Sequence, residues 1–194
     1  TKFVTKEGNE VECNAGNPTS IFIYKTDVEP HLGEVSYFKV MSGHLTEGMD
    51  LENAETGDKE RLSAIYAVAG AKKEKVSGLQ AGEIGCTVKL RAGKTNVTLS
   101  QLGSGIAYEH IVFPASKYRC AIKAESQNDE TKLGEALSKI SAQDPTIIVE
   151  YSKELKQTIL SGQGEQHINV CKWRLENEFG VKVVMFAPKI PYRE

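Results

Sequence analysis

A change of hydrophobic period part-way along the chain constrains the fold more than any other feature. From Ser20 to about Phe113 apolar residues come in short alternating runs. Met49 and Leu51 alternate with Asp50 and Glu52; Leu62, Ala64, Tyr66 and Val68 take every second position; Cys86, Val88 and Leu90 alternate with Thr87 and Lys89. Period two is the mark of strands, whose successive side chains point to opposite faces. Turn residues interrupt the runs at 30–33, 42–43, 46–48, 55–58, 81–82 and 92–93. That rhythm suits a small closed barrel or a sandwich. Ile21-Phe22-Ile23-Tyr24 is apolar on both faces, as a central strand buried on each side would be.

From Tyr118 the period lengthens. Residues 118–124 read as a strand, and Ser126-x-x-Asp129 as the cap of a helix with Leu133, Leu137 and Ile140 on one face. Asp144-Pro145 stops that helix. Residues 146–151 and 157–160 form two short strands joined by the polar turn 152–156, a hairpin. The glycine turn Ser161-Gly-Gln-Gly-Glu-Gln-His167 leads into a second helix from about Gly164, with Ile168, Cys171, Leu175 and Phe179 on one stripe and Gly180 as its C-terminal cap. Residues 181–186 are the last strand. The order βαββαβ is that of the ferredoxin-like split unit, two helices on one face of a four-stranded sheet. The expected fold is thus a β-barrel followed by an α+β ferredoxin-like domain. The expected boundaries are 1–19 as a connecting segment from an upstream domain, 20–115 as barrel, 116–188 as the α+β domain and 189–194 as the start of a further linker. The join falls within 101–117.

Length and an apolar fraction of 40% suit one or two folded domains. With 24 basic against 26 acidic residues the chain offers no uniform field for nucleic acid, so any RNA contact has to be local. Cys13, Cys86, Cys120 and Cys171 show no C-x-x-C spacing and lie mostly in apolar patterns, as reduced buried thiols do. No secretory signal and no run long enough to span a bilayer is visible, so the Asn96-Val97-Thr98 sequon is read as a chance match. The start at Thr1 and the stop at Glu194 read as a piece of something longer.

No motif supplies a catalytic constellation. Gly93-Lys94-Thr95 resembles the end of a phosphate-binding loop, but Val88 stands where the first glycine is needed and no helix follows, so a plain turn is the reading. His167 and Cys171 lie four apart on a helix near Glu165, yet a structural zinc site needs four ligands and no further cluster is visible; no metal is expected. His31, His44 and His110 fall in or beside turns and read as solvated. Asp129-Glu130 is explained by the helix dipole. The Ala71-Lys-Lys-Glu-Lys75 run reads as a solvated loop. Lys39, Lys59 and Arg61 sit on expected strands or their ends, exposed and available to phosphate.

Several stretches together resemble one family. They are residues 33–43 (GEVSYFKVMSG), Leu45-Thr-Glu-Gly48, Lys59-Glu-Arg61, 79–85, Lys132-Leu133 with Ala136-Leu137, Asp144-Pro-Thr146, the turn at 161–167 and Pro191-Tyr-Arg-Glu194. In order and spacing they resemble the second and third domains of elongation factor G, the translational GTPase that moves tRNA and mRNA through the ribosome. The resemblance implies a cytoplasmic parent whose GTP and Mg²⁺ sit in a domain missing here, with no cofactor in this segment. Its partners would be the ribosome (small-subunit RNA and protein) and the parent's own GTPase and tip domains, without a membrane. Lys39, Lys59 and Arg61 become ribosomal-RNA contact candidates. His167, Cys171 and Arg174 become the interface toward the GTPase-domain cleft where fusidic acid binds in the family. Read without the resemblance, the same stripe is a helix flank with an intramolecular salt bridge at Arg174. Gln163 and Gln166 replace the family's methionine and leucine, and residues 68–72 and 94–97 also depart from its pattern. A tetracycline-resistance-type ribosomal protection protein, or a non-ribosomal binding module, is the alternative.

Overall fold

The computed structural model describes residues 1–29, 32–70, 72–91 and 93–189. The expectations for His31 and for the linker from 190 onward, including the family-like 191–194, lie outside these. The chain forms two compact units, residues 1–111 and 112–194.

In the first unit β1 (Lys2–Val4) and β2 (Glu10–Glu12) form a hairpin with Phe3 opposite Val11. The strands that follow are β3 (Ser20–Glu29), β4 (Gly33–Ser42), β5 (His44–Thr46), β6 (Asp50–Glu52), β7 (Lys59–Arg61), β8 (Ile65–Ala69), β9 (Lys72–Val76), β10 (Gly78–Gln80), β11 (Ile84–Val88) and β12 (Thr98–Gln101). Eight of them make one sheet in the order β7-β6-β12-β3-β4-β11-β8-β9, and β5 pairs with β10. The sheet is barrel-like, wrapped on a core of Ile21, Ile23, Phe38, Val40, Leu45, Leu51, Leu62, Ile65, Leu79, Leu90 and Leu99. Phe22 is buried on the other face of β3, so this strand is covered on both sides as its sequence requires.

Three expectations change here. Residues 1–19 are not a bare connection: the hairpin belongs to the first unit, Thr5 bridges Tyr108, and the Gly43 amide donates to the Asn14 carbonyl at 2.9 Å. Charges at Lys2, Glu10 and Glu12 mask a strand pair whose paired side chains are Phe3 and Val11. The alternation from Leu62 to Val68 is broken, because Leu62 turns back onto Met49 (amide to carbonyl, 3.1 Å) before β8 begins. The parity therefore switches, and Leu62 and Ile65 are both core residues. The lysine run is a strand, paired with β8 from Lys72 to Val76 at the edge of the sheet, where lysines discourage pairing with another chain. Ala71 lies outside the described residues.

The second unit runs β13 (Tyr118–Ala124), a 3₁₀ turn at Gln127–Asp129, α1 (Glu130–Gln143), β14 (Ile148–Ser152), β15 (Gln157–Gly162), α2 (Glu165–Asn177) and β16 (Val183–Phe186). Its antiparallel sheet has the order β14-β15-β13-β16. Leu133, Leu137 and Ile140 of α1 and Ile168, Cys171 and Leu175 of α2 share one core with Cys120, Ile122 and Leu160 of the sheet. The expected cap at Ser126 is not made by its side chain. The Ser126 carbonyl accepts the Asp129 amide at 3.0 Å and closes the 3₁₀ turn, so the helix starts at Glu130. At the end of α2, Gly180 adopts φ 66°, and the Val181 amide reaches the Leu175 carbonyl at 2.9 Å.

Candidate functional site

The turn between β15 and α2 is set by close packing. A Cβ on Gly162 would lie 2.9 Å from Ile168 Cδ1 and 3.2 Å from His167 Nδ1, so any larger residue would have to push these side chains aside. The Gln163 amide then donates to His167 Nδ1 at 3.2 Å. With Nδ1 accepting, Nε2 is the N–H, and it donates to Asp144 Oδ2 at 2.9 Å. The other Asp144 oxygen accepts the Thr146 amide at 2.9 Å and the Thr146 hydroxyl at 2.6 Å. Burial alone pushes the Asp144 carboxyl up; the Thr146 hydroxyl and amide and then His167 outweigh it, holding it below its ordinary value.

Arg174 is anchored in the same way two turns on. Its Nε donates to Glu178 Oε2 at 2.9 Å, and its Nη2 bonds Gln143 Oε1 at the end of α1. The intramolecular salt bridge expected on a bland reading is thus present, and a second contact ties α2 to α1. Cys171 departs from the expected stripe. It is 2% exposed and part of the unit's core, so it presents nothing at the surface. Burial pushes its thiol up to about 11, which leaves it protonated and inert at neutral pH. On α2 the step from 167 to 171 to 174 crosses from the helix flank into the core, since Cys171 also lies on the Ile168–Leu175 stripe.

In the first unit Lys59 and Arg61 are exposed on edge strand β7, facing Glu52 and Asp50 of β6 respectively. Between them Glu60 is buried, and its Oε2 accepts the Arg91 amide at 2.7 Å. This bond docks the loop carrying exposed Lys89 and Arg91 against β7. Lys39 is not brought to this place. It lies on β4, four strands along the sheet, half-buried, with its Nζ 5.3 Å from the centre of the Phe3 ring.

Gly93-Lys94-Thr95 is a turn, as expected: the Val97 amide returns to the Lys94 carbonyl at 3.2 Å and Thr95 Oγ1 donates to Thr26 Oγ1 at 2.9 Å. His44 is exposed on β5, whereas His110, expected to be solvated, lies 3.3 Å from Glu55 Oε1. Cys86, Cys120 and Cys171 are buried free thiols and Cys13 is half-buried. Among the described residues no group of three or more His, Cys, Asp or Glu side chains is placed to hold a metal ion, and no helix is long and apolar enough to cross a membrane.

Two family models match in series. "Elongation factor G domain 2" covers residues 18–102, and "Elongation Factor G, domain III" covers residues 113–187. Elongation factor G of Karelsulcia muelleri is 38% identical over 181 residues, 93% of this chain and 26% of that protein. The protein of the same name from Thermotoga neapolitana is 37% identical over 177 residues, 91% of this chain and 26% of its own length. The chain belongs to the elongation factor G family. It spans about a quarter of the length of the curated relatives it matches. A crystal structure of a Thermus thermophilus protein aligns with TM-score 0.76 at 28% identity, over 91% of this chain and 27% of that one.

Within the elongation factor G match, Gln163 and Gln166 differ in their surroundings. Gln163 Nε2 donates to the Pro114 carbonyl at 2.9 Å. Gln166 is exposed. Asp144 and Gln143, which hold His167 and Arg174, are absent from the expected site. Asp144-Pro145 carries a sufficient helix-stop reading of its own, and a contact between residues 23 or 31 positions apart leaves no local spacing signal. The bond between Glu60 and Arg91, 31 positions apart, is hidden for the same reason.

Proposed function

We propose that this segment is the ribosome-binding and interdomain-coupling part of an elongation factor G-like GTPase that promotes tRNA and mRNA translocation in the cytoplasm. The observation that carries the reading is the serial match of the two family domains, one on each compact unit. A ferredoxin-like fold for the second unit is supported by its strand order and by both helices sharing one core with the sheet. GTP and Mg²⁺ belong, in this reading, to a domain outside residues 1–194. The segment's own residues divide the work. Lys59 and Arg61, with Lys89 and Arg91 docked beside them, offer cations to the phosphates of small-subunit RNA. His167 and Arg174, each fixed by two contacts, present an ordered polar flank of α2 toward the GTPase-domain cleft.

The test uses the whole protein with a Lys59→Ala, Arg61→Ala double substitution, titrating ribosome binding against salt. Every phosphate left without its cation should reduce the slope of log affinity against log salt by about 0.7 to 0.9. The expected result is a shallower slope with nucleotide affinity unchanged; an unchanged slope removes β7 from the RNA contact.

A further inference from the structure

We propose that Lys6, Glu55 and His110 form a clasp that locks the N-terminal hairpin to the segment leaving the first unit, so that displacing one end displaces the other. These residues are distant in sequence and come from three elements: the turn after β1, the loop between β6 and β7, and the stretch after β12. Lys6 pairs with Glu55, His110 Nε2 lies 3.3 Å from the same Glu55 Oε1, and Lys6 Nζ lies 3.2 Å from His110 Nε2. One carboxylate thus sits against two basic groups, and the Lys6 bond, first among its causes, holds Glu55 below its ordinary value. Neutral His110 accepts from the Lys6 ammonium at Nε2, and protonated His110 donates to Glu55, so a contact survives in either state.

The clasp closes over a backbone seam. Thr5 bridges Tyr108, and the Lys6 amide donates to the Ala107 carbonyl at 2.9 Å. Beneath it Tyr108 is 3% exposed, its ring edge-on to Phe3 at 6.2 Å and its hydroxyl 2.8 Å from Ser20 Oγ. Past His110, Ile111 is pinned at both backbone atoms by Asn96: its amide donates to Oδ1 at 2.6 Å and its carbonyl accepts from Nδ2 at 2.9 Å. The next residue, Val112, is 93% exposed. Lys6, Tyr108 and His110 all lie outside the stretches matched by the two family models. The coupling this creates serves the interdomain role proposed above and rests on it for its purpose. Its existence is tested without ribosomes, so the two can fail separately.

The experiment is amide hydrogen exchange on the full chain with Lys6→Met and, separately, Glu55→Gln. Both should speed exchange of the Tyr108 and Ile111 amides by about two- to fivefold, the range expected on losing a half-exposed ion pair. Amides of β3 and β4 should be unchanged. Lys2→Met is the control, because Lys2 pairs with Glu10 inside the hairpin. If Lys6→Met loosens residues 1–12 alone, or if Lys2→Met loosens 108–111 equally, the side-chain clasp is refuted and the seam is held by its backbone bonds.

Discussion

The flank of α2 in the second unit and the edge strand β7 in the first both carry basic side chains on regular elements, in opposite physical states. His167 and Arg174 each make two polar contacts and are largely covered. Lys59 and Arg61 are exposed, and among the described residues neither is in an ion pair closer than 4 Å. A fixed group has already lost its rotamer freedom and can present one geometry to a partner. A mobile cation retains that entropy and suits a phosphate backbone, where charge matters more than direction. On the function proposed above, ordered recognition would fall to the second unit and electrostatic attachment to the first.

That contrast can be broken by stability measurements, and the unique tryptophan provides the probe. Trp173 lies on α2, half-exposed, so its fluorescence follows the second unit. The largest effect is expected from Leu175→Ala, about 2 to 5 kcal/mol, because Leu175 is fully buried in the core beside Cys171 and truncation leaves a cavity. His167→Ala should come next, at about 1 to 2 kcal/mol, since it strips partners from Asp144 and from the Gln163 amide without opening the core. If urea midpoints show His167→Ala as harmless as a surface change, the two bonds do not fix that side chain and the contrast with β7 collapses.

Acid sharpens the same point. Asp144 is held below its ordinary value of 3.8, so its contribution is fully present above that pH and is lost as pH falls through the lower folded value. Tryptophan-monitored stability of the second unit should therefore decline below about pH 4, the unperturbed aspartate range. Asp144→Asn should be less stable at neutral pH and show a flatter acid limb. An identical slope in the variant would mean that another carboxylate carries the linkage.

How far the sequence reveals these features depends on the range over which each signal acts. The βαββαβ order is readable because Leu133, Leu137 and Ile140, or Ile168 and Leu175, declare a buried face within two turns of helix. β9 is not, because an edge strand with Lys72, Lys73 and Lys75 has the composition of a loop and owes its conformation to β8. The hairpin of β1 and β2 is hidden likewise, since only Phe3 and Val11 signal it. At the site, His167 and Arg174 are legible as a helix flank, but the residues that hold them arrive from the end of α1. Cys171 belongs by spacing to two stripes at once, and only its burial decides between them.

The smallest effect is the most discriminating. Lys59→Ala and Arg61→Ala should each change the stability of the first unit by about 0.5 kcal/mol or less, since exposed substitutions away from caps, cores and networks seldom do more. Each faces an acidic residue of β6, Glu52 or Asp50, without a close ion pair, so the loss should sit at the low end of the about 0.2 to 1 kcal/mol that a cross-strand pair is worth. Glu52 already accepts the Gly103 amide at 2.6 Å, so losing Lys59 leaves it with a partner, whereas Asp50 has more to lose with Arg61. Arg61→Ala should accordingly cost slightly more than Lys59→Ala in thermal unfolding of the first unit, followed by far-ultraviolet dichroism. A cost at Lys59 as large as that of His167→Ala would show that β7 is also a locked element, and the division of labour between the two units would have to be abandoned.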